Sequence, residues 1–204
     1  MPIVKIQKTK NYTYVFWEIK ESLKELMTQL KVEEKELIEV NKIRHIKRKK
    51  QNITARLILN YLAMKKVKLS YLKTGKPWCE NFKHISISHS HNYCVVAISE
   101  NYVGIDIQYT KNNIKILQEK FINNKEKKYL KIGNNNLKLH FIWSAKEAIY
   151  KTLDSLCSLK ENIHITKLSN MGTGYHEKNN QKTEYNIHWE MFDDYFLAIA
   201  TKTL

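Results

Sequence analysis

The run YVGIDIQYT, residues 102–110, sets one carboxylate, Asp106, between Ile105 and Ile107. A strand sends alternate side chains to opposite faces, so the isoleucines share one face and Gly104, Asp106 and Gln108 share the other. A small residue, a carboxylate and an amide on one face suit a hard cation such as Mg²⁺, which takes oxygen ligands and keeps waters. The plainer alternative is an edge-strand acid facing solvent. Further along, HFIWSAKEAIYKTL, residues 140–153, has helical spacing. Phe141, Ile142, Ala145, Ala148, Ile149, Thr152 and Leu153 form a core arc, while Trp143, Glu147, Tyr150 and Lys151 fall on and around the opposite one. Two aromatics on the second arc imply that it too is covered. Glu147 and Lys151 are four residues apart and can pair. They are either a surface ion pair or an acid and a base at a cleft wall.

Three further stretches could meet phosphate. SISHS, residues 86–90, places Ser86, Ser88 and Ser90 on one strand face and His89 with the isoleucines on the other. Hydroxyls and imidazole both bond phosphate oxygens. A serine hydrolase would need a nucleophile elbow, and no GxSxG occurs. TGKP, residues 74–77, sets Lys76 in a rigid turn, without the GxxxxGK[ST] of a Walker loop. The helix around IRHIKRKKQNITAR, residues 43–56, carries Arg48, and its Lys49 and Arg56 border the apolar stripe at a spacing of seven. Its basic stretch from Arg44 to Lys50 offers the alternative reading of a nucleic-acid interface, although no aromatic interleaving or known reader motif accompanies it.

These residues need a scaffold, and the composition supplies one. The chain has 204 residues, 43% of them hydrophobic, with only two prolines and five glycines. That is enough for one sizeable core or two packed halves, with no obvious linker, and too apolar for a disordered chain. A net charge of +15 calls for acidic partners. Three scattered cysteines, Cys79, Cys94 and Cys157, form no metal spacing and read as inert reduced thiols. With no apolar signal core at the start and no run of about 20 apolar residues, a cytoplasmic location is expected, without a membrane.

Strands are expected at IVKIQ, YTYVFWEI, HISISHS, YCVVAIS and VGIDIQ, and again at IHITKLS, EYNIHWEM and YFLAIAT near the end. The Gly and Asn of MGTGYHEKNNQ, residues 171–181, read as the separator between the first two of these last three. Helical patterning covers residues 21–40, 43–66, 114–130 and 139–156, with the polar loop IGNNN before the last. Ile43, Ile46, Ile53, Leu57 and Tyr61 line the apolar face of the second. A shift of 102 residues lays CVVAIS over FLAIAT, and the strand–helix–helix–strand order repeats. Both suggest a duplicated architecture with a ligand cleft between its halves.

Taken in order, TGKP, SISHS, VGIDI and WSAKEAIYK resemble the 4′-phosphopantetheinyl transferase superfamily, in its larger, pseudo-dimeric branch. The resemblance implies an α+β fold of two similar halves, residues 1–101 and 102–204, with coenzyme A in the cleft between them. It implies Mg²⁺-dependent transfer of 4′-phosphopantetheine from coenzyme A to a serine of an apo carrier protein, acyl or peptidyl. Asp106 and Glu147 fall on the family's metal ligands, and Gln108 replaces its second strand acid, which implies weaker metal binding. Glu147 is then the candidate base, and Lys151 steadies phosphate charge or moves a proton. Lys76, Ser88, His89 and Arg56 fall on coenzyme A contacts, with Arg48 and Lys49 assigned to its 3′-phosphate. Carrier proteins of this kind are acidic, matching the basic chain, and a pseudo-dimer within one chain implies a monomer.

Overall fold

The computed structural model describes residues 3–111, 113–131, 133–169 and 171–203, and gives backbone alone at 34 and 35. Its elements in chain order are β1 (Ile3–Lys8), β2 (Thr13–Glu18), α1 (Leu23–Leu30), α2 (Glu34–Asn41), α3 (Ile46–Ala63), β3 (Ser70–Tyr71), β4 (Pro77–Trp78), β5 (His84–Ser90), β6 (Tyr93–Ser99), β7 (Val103–Tyr109), α4 (Gln118–Phe121), α5 (Asn135–Thr152), β8 (Ile163–Lys167), β9 (Met171–Lys178), β10 (Gln181–Phe192) and β11 (Tyr195–Lys202). Tight 3₁₀ turns flank α4 at Ile114–Leu117 and Glu126–Leu130. The strands form an antiparallel sheet in the order β1-β2-β6-β5, a second in the order β7-β11-β10-β9-β8, and the small β3-β4 pair. This is an α+β fold.

Strand alternation builds four layers. Val15, Trp17, Cys94 and Val96 face α1–α3, forming one core with Leu26, Ile53 and Ile58. The opposite face of that sheet, Tyr14, Phe16, Val95 and Ala97, packs on Val103, Ile105, Ile107, Leu197 and Ile199 of the second sheet. The far face of the second sheet, with Ile187, Phe196, Ala198 and Ala200, covers the apolar arc of α5. A period of two thus serves both sheets on both faces. The strand orders β2-β6-β5 and β7-β11-β10 match in outline, each with an 18-residue helix laid on it; β5 and β6 meet β10 and β11 at the spacing of 102 noted above, whereas β7 takes the place of β2 at a different spacing.

Several expectations change. The stretch 21–40 is two helices: α1 starts on a Ser22–Glu25 capping box and stops at Lys31, whose φ of 50° is left-handed. The stretch 114–130 is broken helical turns around α4. The expected separator MGTGYHEK is strand β9, and the turn is only Asn179-Asn180, both with positive φ, as a two-residue hairpin requires. Gly172 and Gly174 mark close approach instead: a Cβ there would lie 2.8 Å from Phe141 Cζ and 2.7 Å from the His164 carbonyl oxygen. On α3, Ile53 and Leu57 are buried, but Ile46 and Tyr61 are exposed. Of the IGNNN loop, Ile132 lies outside the described residues. Among the described residues no helix is long and apolar enough to cross a membrane.

Candidate active site

Gly104 is the contact that builds the site. A Cβ on it would lie 1.8 Å from the Ala148 carbonyl oxygen, so only glycine lets α5 lie this close on β7. The helix then carries Glu147 and Lys151 over the β7 face that holds Asp106. Asp106 is 3% exposed, which removes the wet-edge reading. A buried carboxylate needs partners, and it has three. Lys151 Nζ donates to Oδ1 at 2.7 Å, Ser88 Oγ donates to the same oxygen at 3.0 Å, and Gln108 Nε2 donates to Oδ2 at 2.8 Å. The expected Glu147–Lys151 pair does not form. Lys151 reaches across to Asp106, Ser88 Oγ and the Ile105 carbonyl instead. The aromatic arc of α5 is covered as expected: Trp143 packs edge-on against Phe121.

Glu147 therefore stands without a hydrogen bond or ion pair among the described residues. Burial, then the nearby Asp106 charge, push its carboxyl up to about 7, with Lys151 pulling the other way. Two neighbouring carboxylates and an amide form an all-oxygen donor set once Gln108 turns its carbonyl inward, and a divalent cation would relieve their repulsion. The residues fit Mg²⁺. Among the described residues no three or more His, Cys, Asp or Glu side chains group as a metal site.

Beside this cluster a cleft of about 450 Å³ opens between the two sheets' helices. Arg48, Lys76, His89 and Lys151 line it, with Tyr71 and Tyr150 as apolar walls. Lys76 caps the C-terminal end of α5 at the Thr152 carbonyl (3.2 Å) and pairs with Asp154 (2.7 Å), so the GKP turn bridges to the second sheet's helix. Burial, with the Arg48 charge, holds the His89 ring down at about 4, so it is neutral at physiological pH. Arg48 Nη1 sits 2.6 Å from His89 Nε2 and donates to it.

Two expected coenzyme contacts lie elsewhere. The Arg56 guanidinium is buried and held by Glu39 at 2.9 Å, the Leu69 carbonyl and Asn52, tying α3 to α2. Lys49 donates to Asn41 Oδ1 at 3.3 Å and does not line the cleft. The sequence reading missed Gln51, which is buried at the cleft wall and donates to the His91 carbonyl at 2.9 Å. Arg48, Gln51, Asn52 and Ala55 all line the cleft at spacings of three, four and seven, so a polar stripe runs beside the apolar one. It also missed Lys146, fully buried and paired with Glu126 at 2.8 Å, which pins the 3₁₀ turn Glu126–Leu130 to α5.

Comparison with known proteins places part of the chain. No curated protein matches it. Among solved structures it is similar to Thermotoga maritima holo-[acyl-carrier-protein] synthase (AcpS), at 16% identity and a TM-score of 0.42, over 49% of this chain and 61% of that one. A family model described as the 4′-phosphopantetheinyl transferase superfamily (ACPS) matches residues 102–200, the stretch that carries Asp106, Gln108, Glu147 and Lys151. That stretch, just under half of the chain, is thus similar to the 4′-phosphopantetheinyl transferase superfamily.

Proposed function

We propose that the protein transfers the 4′-phosphopantetheine group of coenzyme A to a serine of an acidic apo carrier protein and releases adenosine 3′,5′-bisphosphate. The observation that carries this reading is the seating of α5 on Gly104, which brings Glu147 and Lys151 over Asp106 at the edge of a basic cleft. The two halves, residues 1–101 and 102–204, would share the coenzyme, and a single chain would suffice.

The serine oxygen forms a bond to the coenzyme's β-phosphorus as the bond from that phosphorus to the adenosine bisphosphate oxygen breaks. The hydroxyl proton passes to the Glu147 carboxylate, directly or through a water. Lys151 and Lys76 face the charge that builds on the phosphate oxygens. Arg48 and the neutral His89 hold the coenzyme in the cleft. Mg²⁺, held by Asp106, Glu147 and Gln108, would neutralise the pyrophosphate. The net charge of +15 would steer an acidic carrier into encounter. The basic helix that could have served nucleic acid turns Arg48 into this cleft, which favours a phosphorylated small molecule.

The test is intact-mass spectrometry of an apo carrier incubated with coenzyme A, Mg²⁺ and the protein. One transferred group adds about 340 Da under this phosphoryl-transfer scheme. No gain across acyl and peptidyl carriers would overturn the reaction.

A further inference from the structure

The seam between the two sheets has an unusual feature. Strands β5 and β7 lie side by side without a backbone ladder. Serine hydroxyls take the place of carbonyl acceptors: Ser86 Oγ accepts from Ile105 N at 3.0 Å, and Ser88 Oγ accepts from Ile107 N at 3.1 Å. The two serines then differ. Ser86 lines the coenzyme cleft, as do Ile87 and His89, whereas Ser88 does not.

A serine hydroxyl has one proton to give and two lone pairs. Ser88 gives its proton to Asp106 Oδ1 and accepts from Ile107 N and from Lys151 Nζ at 3.0 Å. Its capacity is filled. A phosphate oxygen only accepts, and the one proton Ser88 could offer is already held by a buried carboxylate. The three ammonium protons of Lys151 are likewise matched by three acceptors: Asp106 Oδ1, Ser88 Oγ and the Ile105 carbonyl. One oxygen, from the other sheet, thus fixes both the acid and the cation of the cluster.

We infer that Ser88 is a positioning residue: its hydroxyl joins the two sheets and locks Lys151 onto Asp106, and it is not a contact for coenzyme A. The inference rests on the transfer reaction proposed above. Removing the hydroxyl strips one donor from Asp106 and one anchor from Lys151 while leaving Arg48, Lys76 and His89 in place. The loss therefore falls on turnover and spares coenzyme affinity.

The experiment compares wild type with Ser88→Ala, Ser88→Cys and Ser88→Thr by calorimetric titration with coenzyme A and by initial rates of holo-carrier formation. In Ser88→Ala, kcat drops roughly tenfold to a hundredfold, the scale of a misplaced catalytic group. The coenzyme Kd stays within about threefold, since no contact to the ligand is lost. Ser88→Cys behaves likewise, because a thiol fills the space but bonds poorly. Ser88→Thr, which keeps the hydroxyl, recovers most of the lost rate. If Ser88→Ala does not fold, Ser88→Cys carries the comparison. A coenzyme Kd raised about tenfold or more with kcat retained would overturn the inference, as would an unchanged rate in both hydroxyl-free variants. Should wild type modify no carrier, the transfer reaction fails, yet the coenzyme titrations still decide whether Ser88 touches the ligand.

Discussion

Glu147 is held in a state the fold alone disfavours, and Glu147→Gln measures by how much. Its carboxyl titrates at about 7 in the fold against 4.5 in a solvated chain, because burial and Asp106 penalise the charge. The folded state binds the proton more tightly, so stability is greatest below pH 4.5 and falls as pH rises toward 7. At about 1.4 kcal/mol per pH unit, the ionised carboxylate costs about 3 kcal/mol at pH 8 and less than about 1 kcal/mol at pH 5. Glutamine keeps the shape and drops the charge. The variant should therefore be more stable than wild type by about 3 kcal/mol at pH 8, a melting-temperature gain of roughly 6–12 °C for a chain of this size. At pH 5 the two should nearly coincide. Urea titrations at both pH values, without divalent cation, give the comparison. Added Mg²⁺ should narrow the gap at pH 8 by stabilising wild type alone. A variant no more stable at pH 8, or a gap of equal size at both pH values, would refute the account of Glu147 as an unrelieved charge. The same variant should transfer no phosphopantetheine, so stability and activity move in opposite directions.

Two further expectations concern the cleft and its scaffold. With His89 held at about 4, coenzyme A affinity should pass through pH 6.5 without a step that His89→Gln removes; a step near 6.5 that this substitution abolishes would show that the ring charges when the cleft fills. Arg56→Met leaves the buried Leu69 carbonyl without its donor and solvent-reached Glu39 without its partner, and should cost about 1–2 kcal/mol, read by urea unfolding. Its coenzyme Kd, measured on folded protein, should stay within about threefold, and a larger rise would return Arg56 to the cleft.

Much of the site was legible because it rests on strict periodicities. The period of two placed Gly104, Asp106 and Gln108 together, and 100° per residue placed Glu147 and Lys151 on one covered arc of α5. What could not be read was which partner each charge would choose. Glu147–Lys151 at a spacing of four is the local pair, yet Lys151 is drawn to the better-buried Asp106 and to a hydroxyl 63 residues away. Arg56 looked like a rim cation because its helical position borders the apolar stripe, and nothing local announces that Glu39 will cover it. Lys146 reads as a surface lysine until Glu126 arrives from an irregular turn. At β9, glycines normally taken as turn residues serve close packing, since Gly172 and Gly174 are spared a Cβ where Phe141 and the His164 backbone press in.

The serine seam has a consequence for how the molecule matures. Ser88 belongs to the first sheet and Asp106 to the second, so Lys151 and Asp106 can meet on β7 and α5 alone, but the hydroxyl that holds both arrives only with the first sheet. A chain with only its second half folded would hold the charged cluster without that hydroxyl and without the α3 wall of the cleft. Hydroxyl and wall arrive together, when the apolar faces of β2 and β6 close on those of β7 and β11. The junction thus ties the final geometry of the site to the closure of the two sheets.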